Sequence, residues 1–329
     1  MREIIYGINE QDSTAVTKPN VVTVGFFDGV HLGHQHLIRQ VVSLAHDKGM
    51  ESTVVTFSRH PRQVLQPRFK PQLLTTFEEK ISLLTQTGVD NCVVLDFTKE
   101  MAALSARSFM QQVLRDQLHA HCLITGYDNK FGHNREEDFD DYVRHGQELG
   151  IEVLQSSPLT VGDILVSSST VRRQLLDGDI EAASSCLGRR YSFAGKVVSG
   201  FQQGRKLGFP TANIELDDSQ KLLPKTGVYA AKVLVEGEAE YKRAVMNIGV
   251  RPTFDGHEPT IEVHVIRYQG DLYGRRMTVC PYHRWRGEHK FETLDLLVTQ
   301  MHEDVENTDS YFGMSDGQSA QQADNQNRR

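Results

Sequence analysis

The 329-residue chain has little that would tie it to nucleic acid, a membrane or an oxidising compartment. Its 36 Lys and Arg are outnumbered by 43 Asp and Glu, giving a formal net charge of −7, so it lacks the clustered positive charge that phosphate backbones require. Nucleic acid is excluded as a general partner. The four cysteines, Cys92, Cys122, Cys186 and Cys280, form no CxxC pair, which points to reduced, buried thiols rather than a zinc site or a disulfide framework. No apolar run reaches the roughly 18 residues needed to span a bilayer. The start, MREIIYGINEQDST, has neither the basic nor the apolar region of a secretion signal. A cytoplasmic protein without membrane contact is expected.

What is present describes an ordinary globular chain, 39% hydrophobic and 24% charged, long enough for two domains of about 100–200 residues each. Residues 21–27, 52–57, 91–97, 121–126 and 151–156 are nearly unbroken β-branched and apolar runs, as in parallel strands covered on both faces. Between them, 34–49, 77–88, 105–118 and 137–150 carry apolar residues at helical spacing, and three of the four end at Gly. The expected fold is therefore a doubly wound parallel α/β sheet. After two short helices in 169–188 the pattern changes to strands at 191–198, 227–237, 241–249, 260–268 and 276–280, separated by Gly, Pro and Asp turns, which suggests an antiparallel β-barrel. A terminal helix is expected at about 292–304. The expected divisions are 1–186, 187–306 and a polar tail, 307–329, too poor in apolar residues to hold a fixed structure.

GFFDGVHLGH at 25–34 compresses a strand end, a glycine-rich turn and a helix start. Gly25, Gly29 and Gly33 let backbone approach a ligand, and a helix starting near Gly33 or His34 points unpaired N–H groups at the same place. His31 and His34 can donate hydrogen bonds to phosphoryl oxygens during attack on a nucleotide α-phosphate. Two histidines at this spacing could also be metal ligands or surface residues; the strand before them and the helix after favour the phosphate reading. Further on, VSSSTVRRQLLDGD (166–179) begins like a helix capped by Ser169 or Thr170.

The first stretch resembles the HxGH signature of the nucleotidyltransferase superfamily and, in its wider form, the FMN adenylyltransferase module of bacterial FAD synthetases. That resemblance implies transfer of AMP from ATP to the phosphate of FMN, aided by Mg²⁺. It implies nucleotide or flavin contacts from Gly25, Phe26, Asp28, Gly29 and Gly33, and from Asp128 in TGYDNKFGHNRE. It also implies closure over the triphosphate by Ser168, Ser169 and Arg172 of the segment resembling the family's ISSTxIR. Phe26 stands where many relatives have Asn.

In the second half, VVSGFQQGRKLGFPTANIEL (197–216) breaks at Gly200, Gly204, Gly208 and Pro210 and contains no P-loop. GRKLGFPTAN resembles the riboflavin kinase signature, as do TGVYAAKV, NIGVRPTFDG, TIEVHVIRY and RGEHKFETLDLL in order. The resemblance implies a loop of Gly204, Arg205, Gly208 and Pro210 around ATP, with Thr211 and Asn213 as Mg²⁺ and phosphate contacts and Arg251 shaping a pocket. Thr and Asn supply neutral hard oxygens suited to Mg²⁺. Glu262 is assigned as general base toward the riboflavin 5′-hydroxyl, since a primary alcohol is a poor nucleophile until its proton is accepted. Strand alternation puts Glu262 with Thr260 and His264 on one polar face, which could line a site or face solvent. The implied function is a bifunctional enzyme that phosphorylates riboflavin to FMN and then adenylylates FMN to FAD. The competing readings are a nucleotidyltransferase with a different phosphate acceptor and a non-catalytic flavin-binding protein.

Overall fold

The computed structural model describes residues 3–6, 18–133, 136–199, 204, 207–253 and 256–326, with backbone alone for 3–6, 251–253, 256–258 and 314–326. The chain forms two compact units, Met1–Thr170 and Val171–Arg329. Among the described residues no helix is long and apolar enough to cross a membrane.

In the first unit, β1 (Glu3–Tyr6), β2 (Asn20–Val24), β3 (Glu51–Phe57), β4 (Asn91–Leu95), β5 (Ala120–Thr125) and β6 (Glu152–Gln155) form one parallel sheet in the order β1-β4-β3-β2-β5-β6. The helices are α1 (Leu32–Lys48), α2 (Pro61–Leu65), α3 (Phe77–Thr85), α4 (Lys99–Ala102), α5 (Ala106–Phe109) and α6 (Phe139–Leu149). A small hairpin of β7 (Thr160–Val161) and β8 (Ile164–Leu165) follows. Both faces of the sheet are buried, which is why its strands read as continuous apolar runs. Val22, Val24, Val55 and Leu123 pack with Met110 and Leu114 on one side. Val21, Val54, Cys92 and Ile124 pack with Ile38, Val41 and Leu84 on the other. The chain leaves β2 for β3 and β4, then returns to place β5 against β2's free edge. The carboxyl ends of β2 and β5 therefore flank the crevice where such sheets bind ligands.

Several details depart from the pattern. The expected strand 21–27 ends at Val24, and 25–27 belong to the turn. The expected helix 105–118 is one α-helical turn, Ala106–Phe109, followed by a π-helix, Met110–Gln117, whose Met110, Val113 and Leu114 are buried. Gly49 and Gly150 cap their helices in the left-handed conformation, but α3 stops at Thr85, before Gly88. All four cysteines are buried and free, and burial pushes the Cys92 and Cys122 thiols up to about 11.

The second unit takes in α7 (Ser168–Asp177) from Val171 onward and α8 (Ile180–Leu187). Both helices are attached to the barrel: Lys225 N–H donates to the Leu175 carbonyl, and His283 Nδ1 meets Glu181 at 2.6 Å. Six antiparallel strands close a barrel in the order β10-β13-β12-β11-β14-β9: β9 (Phe193–Val198), β10 (Ala212–Leu216), β11 (Gly227–Val235), β12 (Lys242–Thr253), β13 (Gly256–Val265) and β14 (Arg276–Arg286). β10, hidden in the Gly- and Pro-rich stretch, is the strand that closes it, pairing with both β9 and β13.

The last helix, α9 (Leu294–Gln326), overruns the expected 292–304. The residues from 307 on, whose composition points to an unstructured tail, enter this helix, and Thr308 and Phe312 are wholly buried. Arg286 grips Asp304 with two nitrogens, at 2.7 and 3.2 Å, Trp285 Nε1 donates to Thr308 Oγ1 at 3.0 Å, and Arg243 pairs with Asp309 at 2.9 Å. These contacts fasten the helix to β12 and β14.

Candidate functional site

In the first unit the turn after β2 is unusually tense. Phe27 and Val30 are buried non-glycine residues with φ of +54° and +37°, a conformation held only where surroundings over-determine it. Asp28 is one such determinant. Its carboxylate, 3% exposed, accepts from the Leu74 and Thr75 amides and the Thr75 hydroxyl. These donors hold the Asp28 carboxylate in the turn. Gly29 N–H donates to Thr75 Oγ1 and Gly25 N–H to the Val55 carbonyl, so both bind the turn to its neighbours.

Phe26 packs edge-on to His60, with Lys80 Nζ 4.2 Å from its ring centre. Lys80 is 2% exposed and donates to the Phe57 carbonyl at 2.8 Å. Burial, opposed by the Asp28 charge, pushes its ammonium down to about 8.

The helix begins one residue before the expected Gly33, at Leu32, with His31 as its cap: His31 Nδ1 accepts from the His34 N–H at 3.2 Å. A nitrogen that accepts carries no proton, so the His31 hydrogen is on Nε2 and that atom is a donor. The His31 and His34 rings stack at 3.6 Å between centres. A Cβ at Gly33 would meet the His31 ring and the Val166 carbonyl at 3.2 Å, so only glycine lets the backbone at Val166 come this close.

A cavity of about 190 Å³ gathers His31, Gly33, His34, Asp128, Ser168 and Ser169. Gly25, Phe26, Asp28 and Gly29 are not among the residues that line it. Ser168 Oγ donates to the Asp28 carbonyl, and the cap of α7 is Ser167, which accepts from the Thr170 N–H at 3.1 Å, in place of Ser169 or Thr170. Arg172 follows on α7, in the second unit. Tyr127, Ser156 and Ser157 also line the cavity and went unnoticed in the sequence; their position just after β5 and β6, at strand carboxyl ends, was the available signal.

In the second unit a cavity of about 720 Å³ is lined by Pro210, Thr211 and Ala212 on one side and by Tyr268, Leu272 and Tyr273 on the other. These three residues fall within TIEVHVIRY and DLYGRRMTV (271–279), stretches that resemble the kinase family, but were not singled out as site residues. Gly208 has a φ of +87°, and Phe209 N–H donates to the Gly204 carbonyl at 2.8 Å, so the two glycines shape the loop that delivers Thr211. Arg205 and the side chain of Arg251 lie outside the described residues.

Beside this cavity, strand register sets Asn213, Glu262 and Asn247 in one row across β10, β13 and β12. Directly paired residues of this kind have Cβ atoms about 5 Å apart. Ile261, Val263 and Val265 are buried, so Glu262 and His264 face out of the barrel wall. Asn247 Nδ2 donates to Glu288 at 3.3 Å, bringing a second carboxylate to the row. Among the described residues no group of three or more His, Cys, Asp or Glu could hold a metal by itself. The hydroxyl of Thr211 and the carboxamide of Asn213 fit a Mg²⁺ that brings most of its ligands as phosphate oxygens and water.

A family model described as FAD synthetase matches residues 13–170, and one described as riboflavin kinase matches residues 187–312. The bifunctional riboflavin kinase/FMN adenylyltransferase of Escherichia coli (strain K12) is 34% identical over 313 residues, covering 95% of this chain and 99% of that protein. Its namesake from Bacillus subtilis (strain 168) is 35% identical over 300 residues, covering 89% of this chain and 92% of its own length. A crystal structure of a macrolide-efflux protein from Streptococcus pneumoniae has a TM-score of 0.83 at 31% identity, covering 93% of this chain and 98% of that one. Efflux is said of that protein alone.

Proposed function

This chain belongs to the bifunctional riboflavin kinase/FMN adenylyltransferase family, and from that premise we propose how its residues divide the two reactions. It converts riboflavin and ATP to FMN and ADP, and FMN and ATP to FAD and pyrophosphate. The first unit is assigned the adenylyl transfer and the second, with its barrel and α9, the kinase.

In the adenylyl transfer, the FMN phosphate oxygen attacks the α-phosphorus of ATP and pyrophosphate leaves. The nucleophile is already ionised, so catalysis is alignment and charge neutralisation rather than proton transfer. His31 Nε2–H and His34 are the proposed donors to the transferring group, with Gly33 and the start of α1 beneath the phosphates. Asp128, Ser168 and Ser169 line the nucleotide's path. Arg172 rests on the sequence resemblance.

In the kinase reaction the riboflavin 5′-hydroxyl attacks the γ-phosphorus, Glu262 takes its proton and ADP leaves. Thr211 and Asn213 would hold Mg²⁺, which supplies charge neutralisation at the phosphates when bound. The observation that supports this division is that each unit has its own cavity with different chemistry: stacked imidazoles at a helix start line one, while Thr211 lines the other, beside which Glu262 faces outward between two asparagines.

The test is purified protein with ATP, Mg²⁺ and either riboflavin or FMN, with flavins separated by chromatography. Glu262→Gln is expected to lose FMN formation by about 10²–10⁴-fold while still making FAD from supplied FMN. His34→Ala is expected to do the reverse, by about 10²–10³-fold. Folded variants that each lost both activities would overturn the division.

A further inference from the structure

Thr211 follows a proline, and proline has no N–H to anchor it. Pro210 itself can therefore be held only through its carbonyl or by packing. Both anchors lead to His264. The Pro210 carbonyl oxygen lies 2.9 Å from His264 Nδ1. A carbonyl only accepts, so Nδ1 carries the proton. The same ring packs edge-on against Phe209, 5.5 Å between centres at 67°. Phe209 is 6% exposed and is also met edge-on by His302 of α9 at 4.7 Å.

His264 itself is well placed to act as an anchor. It stands on β13 two residues from Glu262 and shares its outward face. β13 is paired on both edges, to β10 and β12. The register Ala212↔Val263 brings the end of the loop alongside His264. One imidazole thus grips two consecutive loop residues, the ring of Phe209 and the carbonyl of Pro210, immediately before Thr211.

We propose that His264 is a positioning residue of the kinase site, fixing the Thr211 hydroxyl relative to Glu262 by holding the Pro210 carbonyl. The proposal rests on the reading of Thr211 as a Mg²⁺ and phosphate contact. An imidazole that orients a ligand in this way behaves like the outer-shell partners of metal sites, whose loss lowers affinity or activity by about 10–100-fold.

The experiment compares His264→Asn with His264→Leu in the full chain. The two side chains are similar in size, but only the carboxamide can replace the Nδ1 donor. The Leu variant is expected to lower riboflavin phosphorylation by about 10–100-fold and to raise the Mg²⁺ concentration for half-maximal rate, with the Asn variant recovering most of both. FMN adenylylation by the same preparations stays at the wild-type rate. A second readout needs no ligand: amide hydrogen exchange across Leu207–Asn213 is faster in the Leu variant and near wild type in the Asn variant.

Equal rates, Mg²⁺ curves and exchange in the two variants would overturn the role of His264, whether both are active or both are not. A Thr211→Val variant separates the two ideas. An unshifted Mg²⁺ curve there sinks the reading of Thr211 and this inference with it. A shifted Thr211→Val curve beside indistinguishable His264 variants sinks the inference alone.

Discussion

Phe312 offers a direct test of how far the second unit's core extends. Its side chain has no exposure, meets Tyr282 edge-on at 5.0 Å between ring centres, and lies under Lys232 Nζ at 4.9 Å. Truncating a buried Phe to Ala costs about 3–5 kcal/mol in transfer and cavity energy, and losing the cation–π contact adds about 0.5–1 kcal/mol. We take about 4 kcal/mol for Phe312→Ala. With a urea slope of about 2 kcal/mol per molar, the unfolding midpoint should fall by about 2 M. A stability of about 5–15 kcal/mol leaves the variant folded in water. The assay is built into the fold: Trp285 is the single tryptophan, and its Nε1–H donates to Thr308 on the same helix. Its fluorescence in urea follows the unit in question. A midpoint within about 0.2 M of wild type at the same slope would show that the helix is not packed where it is placed, and with it the ion pairs at Asp304 and Asp309.

Two other expectations follow from buried groups. Below about pH 8, where burial places the Lys80 pKa, folded and unfolded chains both hold this proton and the burial cost is felt in full. Between about 8 and the ordinary 10.5 the unfolded chain holds a proton the folded one has released, so this group favours folding increasingly as pH rises, by about 3 kcal/mol across the window. The stability of Lys80→Met minus that of wild type, from the circular-dichroism transition not shared by Trp285, should therefore fall by about that amount from pH 7 to 10.5; a constant difference would refute it. In the barrel, a Cβ on Gly195 would come within 2.2 Å of the Glu215 carbonyl oxygen. Gly195→Ala should cost about 1–3 kcal/mol, push β10 and Asn213 off register and slow riboflavin phosphorylation at least about tenfold with adenylylation intact; wild-type kinase turnover would contradict it.

The failures of sequence reading have physical causes. Three residues of the last helix that end up buried, Asp304, Thr308 and Phe312, sit at i, i+4 and i+8. That is a helical stripe, but two of its members are polar, so averages of composition hide it. β10 is five residues long and follows a glycine- and proline-rich loop, which drowns its alternation. The histidines were legible because a strand, a glycine turn and a helix start are local features. Their tautomer was not, because it depends on which atom meets which backbone N–H. The motif could not show the donors to Asp28, because Leu74 and Thr75 are more than forty residues away.

The sequence by itself determined the parallel sheet, the antiparallel barrel and the order of the motifs, because each follows from periodicity and local turn chemistry read over a few residues. Only the tertiary structure decided which polar face of β13 Glu262 and His264 share with Asn213 and Asn247, and that the loop before Thr211 is held by an imidazole. Register between strands is set by pairing at long range and by the closing of the barrel, and no local pattern encodes it.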